Sequence, residues 1–271
     1  MVQYLWLIPI GFIIGTVGTL IGAGGGFLLT PLLLLAYPVE APEIITSISL
    51  AVVFFNALSG SVAYARMKRI DYKSGLIFSL ATIPGAILGA LTTSSIPRHA
   101  FNIIFGLFML LTAIFLLART NTPSAEQPQK RQQVRRSLVE ADGTLHTFSY
   151  NRNVGIGLSV VVGYVSSLLG IGGGIIHVPA MVYLLHFPVH VATATSHFTL
   201  AVMALTGTLV HLLTGTFYRG VRRTIALGIG VLFGAQLGAR FSHRIQGQWI
   251  IRTLAIALGL VGVRIFVMAF Y

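Results

Sequence analysis

The chain contains no cysteine, which excludes disulfide bonds and thiol chemistry. It is also poor in charge, because only 9% of its 271 residues are charged, whereas a soluble domain carries about 25%. Hydrophobic residues make up 55% of the chain, and the mean hydropathy is +0.86. This composition predicts an all-α polytopic membrane protein. The length suits about eight to ten membrane-embedded segments.

Acidic residues are the scarcest charged type, and all of them lie outside the apolar runs. They are Glu40, Glu43, Asp71, Glu126, Glu140 and Asp142. Many carriers of cations use a carboxylate inside a span, so the absence of one from these runs fits an anionic substrate. The sequence also contains no paired carboxylates and no nucleophile spaced beside a base. We therefore expect no enzyme and no cofactor. His177, His197 and His211 lack the helical spacing of metal ligands, so no metal site is expected.

Basic residues give the chain a net charge of +12, and they occur in short clusters between the apolar runs. This distribution is typical of cytoplasmic loops beside anionic lipid, so the expected partner is the lipid bilayer and not nucleic acid. The loop 66–73 and the polar segment 119–153 are both basic and are predicted to face the cytoplasm. In the second half, basic clusters fall on both faces, and the positive-inside rule gives no orientation there.

Two apolar parts are joined by one polar segment. Residues 1–118 are predicted to form a first transmembrane repeat, residues 119–153 a polar cytoplasmic linker, and residues 154–271 a second transmembrane repeat. The linker has too little apolar surface to fold alone and is expected to be a disordered connector. The N-terminus lacks the basic region of a cleaved signal peptide, so the first apolar run is expected to be retained as a helix.

A glycine cluster occurs twice in hydrophobic surroundings, at 22–26 and at 170–174, and each copy is followed by a proline at 31 or 179. Each glycine costs a helix about 1 kcal/mol relative to alanine, so both clusters predict a break. In lipid, a broken helix is tolerated only where it is buried in protein or lines a wet cavity. The short apolar runs after the clusters, 27–37 and 175–185, are predicted to be re-entrant or half of a broken helix.

Further matches between the two parts occur at an offset of about 147 to 148 residues, and they indicate an internal repeat. Ser49 falls on Ser196, and the segment 59–64 falls on 206–211. Two arrangements remain open. About four spans in each half give parallel repeats, whereas five spans in each half give inverted repeats. The length of the short runs favours about four spans in each half, and paired breaks of this kind point to a transport site.

The chain resembles the TauE/SafE family, the sulfite exporter or sulfonate permease family. The resemblance rests on the two glycine-rich breaks that end in Pro31 and Pro179, on the Ser motifs at 46–50 and 194–197, and on the Ser/Thr-Gly-Ser/Thr elements that follow. It covers essentially the whole chain except the linker. It implies a multi-spanning carrier of sulfur-containing anions such as sulfite, sulfoacetate or sulfonates, located in the bacterial plasma or inner membrane. His197 departs from the family pattern, which usually has an apolar residue there.

The residues around the breaks could hold such an anion without a charged side chain. A helix that restarts after a glycine cluster presents free N–H groups and the positive end of its dipole. Hydroxyl, amide and imidazole groups could add donors, and intramembrane histidines are functional candidates. The alternative is that the glycines only let helices cross closely and that the polar side chains bond within the bundle. The candidate substrate-binding residues are Gly24, Gly25, Gly26, Ser47, Ser49, Asn56, Gly172, Gly173, Gly174, His177, Thr195, Ser196 and His197.

The function predicted from these features is secondary transport of a small sulfur-containing anion by alternating access. Export is favoured because the membrane potential drives an anion out of the cell without a coupling ion. An anion channel of the same architecture and an importer of a sulfur oxyanion remain alternatives. A homodimer also remains open, since the sequence does not determine the oligomeric state.

Overall fold

The computed structural model describes residues 4–118, 133–242 and 247–268. The described part is mostly helical. Its first half contains α1 (Leu7–Ile21), α2 (Gly26–Ala36), α3 (Pro42–Arg66), α4 (Tyr72–Thr93) and α5 (Arg98–Ala118). A β-hairpin follows, made of β1 (Gln133–Val139) and β2 (Leu145–Asn151). The second half contains α6 (Arg152–Leu169), α7 (Gly174–Tyr183), α8 (Val189–Leu213), α9 (Val221–Ser242) and α10 (Gly247–Met268), with a short 3₁₀ turn before α9.

Both predicted helix breaks are confirmed. Helix α1 ends at Gly22, which has a φ of +80°, and α2 begins after Gly25, which has a φ of +77°. In the second half, Gly170 ends α6 with a φ of +68°, and Gly173 precedes α7 with a φ of +65°. These left-handed conformations favour glycine because it has no Cβ. The helices that follow, α2 and α7, are 11 and 10 residues long, as the short apolar runs predicted.

Six helices of the described chain are long and apolar enough to cross a membrane: α3, α4, α5, α6, α8 and α9. Together with the apolar α1, α2 and α7 they confirm the prediction of a multi-pass membrane protein. Helix α3 is buried over most of its length. Its own apolar side chains lie on all of its faces instead of forming one stripe, as is typical of a helix inside a bundle. Helices α3 and α8 lie at the centre, and the outward faces of α4, α5 and α9 carry exposed leucine and isoleucine side chains.

Two helix pairs pack closely through glycine. Helix α1 lies against α9, where a Cβ atom at Gly234 would overlap the carbonyl oxygen of Phe12. Helix α6 lies against α4 in the same way, where a Cβ atom at Gly85 would overlap the carbonyl oxygen of Val160. These glycines belong to Gly-x-x-x-Gly spacings, Gly85 with Gly89 and Gly234 with Gly238, which let helices approach closely. In both pairs the residue numbers of the contacting positions increase in the same direction along the two helices. Helix α1 therefore runs parallel to α9, and α6 runs parallel to α4.

The ends of the helices meet at two ends of the bundle. At the first end, Arg98 of α5 donates to backbone carbonyls at the end of α2, and Arg223 of α9 pairs with Glu40 just before α3 at 2.6 Å. At the second end, Arg69 after α3 reaches Ser242 at the end of α9. Since α1 is parallel to α9, it begins at the first end, where α2 also ends. The pair α1–α2 is therefore a hairpin that enters and returns at the first end.

The pair α6–α7 forms the matching hairpin from the second end. Helix α6 begins beside the start of α4, where a Cβ atom at Gly155 would contact the ring of Phe78. It continues along α4 until the hydroxyl of Thr93 donates to the carbonyl of Leu168 at 3.0 Å. Helix α7 then returns to the second end, where Phe187 packs on the β-hairpin.

The expectation that residues 119–153 form a disordered connector is wrong for residues 133–151. These residues form an antiparallel β-hairpin in which Gln133 pairs with Asn151 and Val139 with Leu145. The strands fold because they pack on the helices instead of standing alone. Phe148 and Tyr150 are buried, with their ring centres 4.4 Å and 5.1 Å from that of Phe187. Residues 119–132 of the predicted linker lie outside the described residues.

Candidate functional site

The two glycine loops meet at the centre of the molecule, and we call residues 22–26 and 170–174 together the glycine junction. A Cβ atom at Gly26 would lie 2.6 Å from the carbonyl oxygen of Ile171, and one at Gly174 would overlap the carbonyl oxygen of Gly22. Val53 of α3 and Leu200 of α8 line the junction, and they are related by the repeat offset. The sequence predicted that each break forms part of a site, and the structure brings the two breaks into contact.

Three polar side chains beside the junction form the amide–imidazole cluster: Thr19, Asn56 and His197. The Thr19 hydroxyl lies 3.1 Å from Asn56 Oδ1 and 3.2 Å from His197 Nε2. All three side chains are fully buried. Two of their atoms, Asn56 Nδ2 and His197 Nδ1, make no close and well-aligned hydrogen bond to a described residue, although the backbone carbonyls of Gly22 and Asn56 lie near the His197 ring.

A second group, the hydroxyl cluster, contains Thr30, Ser49 and the carbonyl oxygen of Gly170. Ser49 donates to this carbonyl at 2.6 Å, and Thr30 lies 2.8 Å from the same oxygen. Gly170 ends α6, so these hydroxyls satisfy a carbonyl that the broken helix leaves without its usual partner. Ser49, a predicted donor to substrate, is thus joined to the opposite half of the molecule, and its hydrogen is used there in this conformation.

Three of the candidate residues lie away from the junction. Ser47 donates to the carbonyl of Ile44 in its own helix at 2.7 Å. Thr195 accepts from the backbone N–H of Asp71 at 3.0 Å, at the second end of the bundle. His177 packs edge-on against Phe78 in α4, with Ser159 Oγ at 3.5 Å.

Ser196 is fully buried, and its hydroxyl has no partner in the described part of the chain. The adjacent hydroxyls of Ser166 and Ser167 in α6 are unpartnered as well. Ser167 lies near Gly207, as Thr19 lies near Gly60, and these two pairs are related by the repeat offset. The Ser166 hydroxyl lies 3.1 Å from the position of a Cβ atom at Gly173, so this unpartnered group borders the glycine junction.

Comparison with known proteins agrees with this architecture. The model of the family described as sulfite exporter TauE/SafE matches residues 7–265. The chain belongs to this family.

Its relatives in the TauE/SafE family are membrane transporters by name. The chain is 35% identical to the probable membrane transporter protein YunE of Bacillus subtilis over 266 residues, which is 96% of each chain. It is 28% identical over 261 residues to a probable membrane transporter protein of Xylella fastidiosa, covering 95% of this chain and 90% of the relative. No solved structure matches the chain. This TauE/SafE protein is therefore a multi-pass membrane transporter and not an enzyme.

Sequence reasoning about this TauE/SafE transporter did not place Thr19, Thr30 or Tyr64 at the site; Tyr64 was expected to anchor a helix end at the membrane interface, but it is buried. Thr19 and Tyr64 lie together, since the Tyr64 hydroxyl donates to the carbonyl of Thr19 at 2.7 Å and its ring packs edge-on against His197. Thr19 could have been found from its position just before the first glycine cluster, with Ser167 at the equivalent place. Thr30 could not have been found from the repeat. The equivalent position in the second half is Val178, which has no hydroxyl group.

The chemistry available at the junction is donation of neutral hydrogen bonds. Asn56 Nδ2 carries two N–H groups without a partner among the described residues. The one hydrogen of the Thr19 hydroxyl is donated to Asn56 Oδ1, so His197 Nε2 donates to the Thr19 oxygen and Nδ1 of the neutral ring is an acceptor. Helices α2 and α7 begin at the junction with their N-termini, where the helix dipole favours negative charge. Described carboxylates lie in loops, caps or a first helical turn, so none of these faces the junction from a helix interior.

Proposed function

We propose that this transporter carries a sulfur-containing oxyanion, sulfite or a small sulfonate, and exports it by alternating access. The observation that carries the proposal is the fully buried amide nitrogen Asn56 Nδ2, whose two N–H groups have no partner among the described residues and which lies near two helix N-termini. A buried N–H without an acceptor is costly, and an oxyanion supplies the missing acceptor. The description of the matching family, sulfite exporter, supports the choice of substrate.

Neutral donors suit a transporter because they bind an anion without holding it. An arginine at the site would pair strongly with a sulfonate and slow its release. Asn56 and the backbone amide of Gly26 are donors that carry no positive charge. The substrate-binding role that the sequence assigned to Asn56, His197, Ser196 and the two glycine clusters is retained in this proposal.

The two halves are proposed to be inverted repeats, each made of one re-entrant hairpin and three crossings. Helix α1 begins at the first end of the bundle and α6 at the second, which supports this arrangement. A hairpin contributes no net crossing, so three crossings per half leave the second repeat upside down. The basic loop 66–73 and the β-hairpin would then face the cytoplasm. One half rocking against the other would expose the junction to each side in turn.

Export is favoured over import by the membrane potential. Each charge moved across the membrane is worth about 2.3 kcal/mol per 100 mV, so a leaving dianion gains roughly 4–5 kcal/mol per 100 mV. Uptake would have to overcome the same amount through a coupling ion.

Proteoliposomes loaded with sulfite or sulfoacetate test the proposal, with the potential and the pH gradient set separately. The wild type should show saturable flux that rises with an outward driving potential. Two variants remove polar groups from the site. His197→Leu introduces the residue found at the equivalent position of the first half, Leu50, and Asn56→Leu replaces the amide by an apolar side chain of similar size. Asn56→Leu should weaken transport by about 10- to 100-fold, since a hydrogen bond to a charged group is worth about 1.5–3 kcal/mol. His197→Leu removes the group that donates to Thr19 and should weaken transport less.

His99→Gln is the matched control, because His99 is exposed at the start of α5. It should leave the flux unchanged. Unaltered sulfite and sulfoacetate flux in both Leu variants, with monodisperse protein, would contradict the site. Flux that rises without saturation would replace the carrier by a channel.

A further inference from the structure

Arg69 lies in the short loop between α3 and α4 and is a buried cation at the second end of the bundle. Its side chain is 9% exposed, and its Nε donates to Glu140 Oε2 at 2.5 Å. Glu140 comes from the turn of the β-hairpin, and its side chain is only 4% exposed. The other carboxylate oxygen, Oε1, lies 2.9 Å from His146 Nε2. A buried loop arginine is therefore covered by a carboxylate from a separate element.

A series of polar contacts leads from Arg69 toward the amide–imidazole cluster. Arg69 Nη1 donates to Ser242 Oγ at 3.4 Å, and Ser242 lies beside the Tyr64 hydroxyl. Tyr64 in turn donates to the backbone of Thr19, which belongs to the cluster. Arg69 thus lies at the outer end of a polar connection to the proposed substrate site.

The hairpin is fixed at its base by contacts that do not involve Arg69. Tyr150 packs on Phe187, and its hydroxyl lies 2.7 Å from Ser74 Oγ in α4. Arg136 lies 3.7 Å from Asp71, the residue that caps α4. The turn is held by the Glu140 carboxylate and by one backbone bond, from Ala141 N to the carbonyl of Met67 at 3.0 Å. The turn can therefore separate from Arg69 while the base stays in place.

We propose that Arg69 is a further anion site at the mouth of the transport path, and that Glu140 occupies it as a tethered competitor of the substrate. A guanidinium fork binds a sulfonate or sulfite by the same charge-assisted hydrogen bonds that it makes to a carboxylate. A buried arginine without an anion is unfavourable, so Glu140 stays until a substrate anion exchanges with it. This inference rests on the proposed function for the identity of the anion.

Transport kinetics give the first test. Glu140→Gln removes the competing charge and should lower the half-saturating concentration of sulfoacetate, added on the hairpin side, by about five- to ten-fold. Arg69→Gln should raise it, and the double variant should behave like Arg69→Gln alone. A Glu140→Gln variant that matches the wild type in half-saturation would overturn the inference.

The matched control is Asp142→Asn, in the same turn. Asp142 is fully exposed and ion-pairs with no described residue, and hydrogen bonds from Thr144 lower the pKa of its carboxyl, so it is anionic like Glu140. Its replacement removes the same charge from the turn but leaves Arg69 covered. It should leave half-saturation unchanged, and an effect equal to that of Glu140→Gln would overturn the inference in favour of a general charge effect.

A second test does not depend on transport. The chain has no native cysteine, so Met67→Cys with Ala141→Cys gives a single pair that a mild oxidant can join when the turn is docked. Sulfoacetate should slow this cross-linking relative to sodium chloride of equal ionic strength, and Arg69→Gln should abolish the difference. If sulfoacetate does not change the rate of cross-linking while transport is normal, the Arg69 inference is overturned and the proposed function is not. Slowed cross-linking without any transport of sulfur anions would refute the proposed function and support the Arg69 site.

Discussion

Single glycines at the junction are constrained in two different ways. Gly25 and Gly173 have φ values of +77° and +65°, which residues with a side chain rarely adopt. Gly26 and Gly174 have ordinary helical backbone, but each lies so close to the opposite loop that a Cβ atom has no room. The glycine run therefore encodes a helix break and, a residue later, a contact between the two halves.

Gly174→Ala is expected to destabilise the protein by about 1–3 kcal/mol, because the added methyl group meets backbone that has little freedom to move. It should also reduce sulfite flux. Gly157→Ala is the control, since Gly157 is exposed on α6 and no atom lies within 4 Å of an added Cβ. It should be neutral or stabilise α6 by up to about 1 kcal/mol. Melting temperatures in detergent and flux in vesicles check both variants, and equal melting temperatures would argue against the close contact.

Among the elements, the β-hairpin shows how short polar strands become ordered on a helical bundle. Two-stranded hairpins are marginal alone. Here alternate residues of β2, Phe148 and Tyr150, turn inward and pack on Phe187, which follows α7. The hairpin is therefore a part of the fold, attached by its apolar face and latched at its turn by Glu140.

Phe187→Ala is expected to loosen the hairpin without unfolding the helices, since removing a buried phenylalanine costs about 3–5 kcal/mol. Hydrogen exchange of residues 133–151 should become much faster, while exchange in α3 and α8 stays slow. Leu145→Ala, on the exposed side of β2, should change neither. Equal protection of the hairpin in the wild type and Phe187→Ala would show that the aromatic contacts do not hold it.

At the scale of the whole molecule, the relation between the halves follows from where each hairpin begins. Helices α1 and α2 join the first end, and α6 and α7 join the second. Val39, just after α2, and Leu184, just after α7, occupy corresponding places in the two halves. Inverted repeats place them on opposite sides of the membrane, and parallel repeats place them on the same side.

Single-cysteine variants Val39→Cys and Leu184→Cys test the arrangement in intact cells, because the native chain contains no cysteine. Both positions are exposed, Val39 at 97% and Leu184 at 46%. A membrane-impermeant maleimide should label Val39→Cys at once and Leu184→Cys only after the cells are permeabilised. Asp142→Cys, at the hairpin turn, should behave like Leu184→Cys. Labelling of Val39→Cys and Leu184→Cys from the same side would refute inverted repeats.

The amino-acid sequence alone was sufficient for the membrane class, the family, the two breaks and the short helices α2 and α7. These properties depend on composition and on local backbone preference, which neighbouring residues already determine. Asn56 and His197 were also found as candidates, because polar side chains stand out in apolar runs. Their meeting at Thr19 could not be predicted, since it depends on how α1, α3 and α8 pack.

The tertiary structure decided which hydroxyls are free and which are used. Ser49 and Thr195 belong to the matching hydroxyl motifs of the two halves. Ser49 nevertheless donates to the carbonyl of Gly170, whereas Thr195 accepts from the backbone N–H of Asp71, just before α4. It also decided that residues 133–151 fold, because their aromatic side chains find Phe187 more than thirty residues later in the chain. Contacts between residues far apart in sequence leave no local pattern, and in this protein the glycine junction, the amide–imidazole cluster and the Arg69–Glu140 pair are all contacts of that kind.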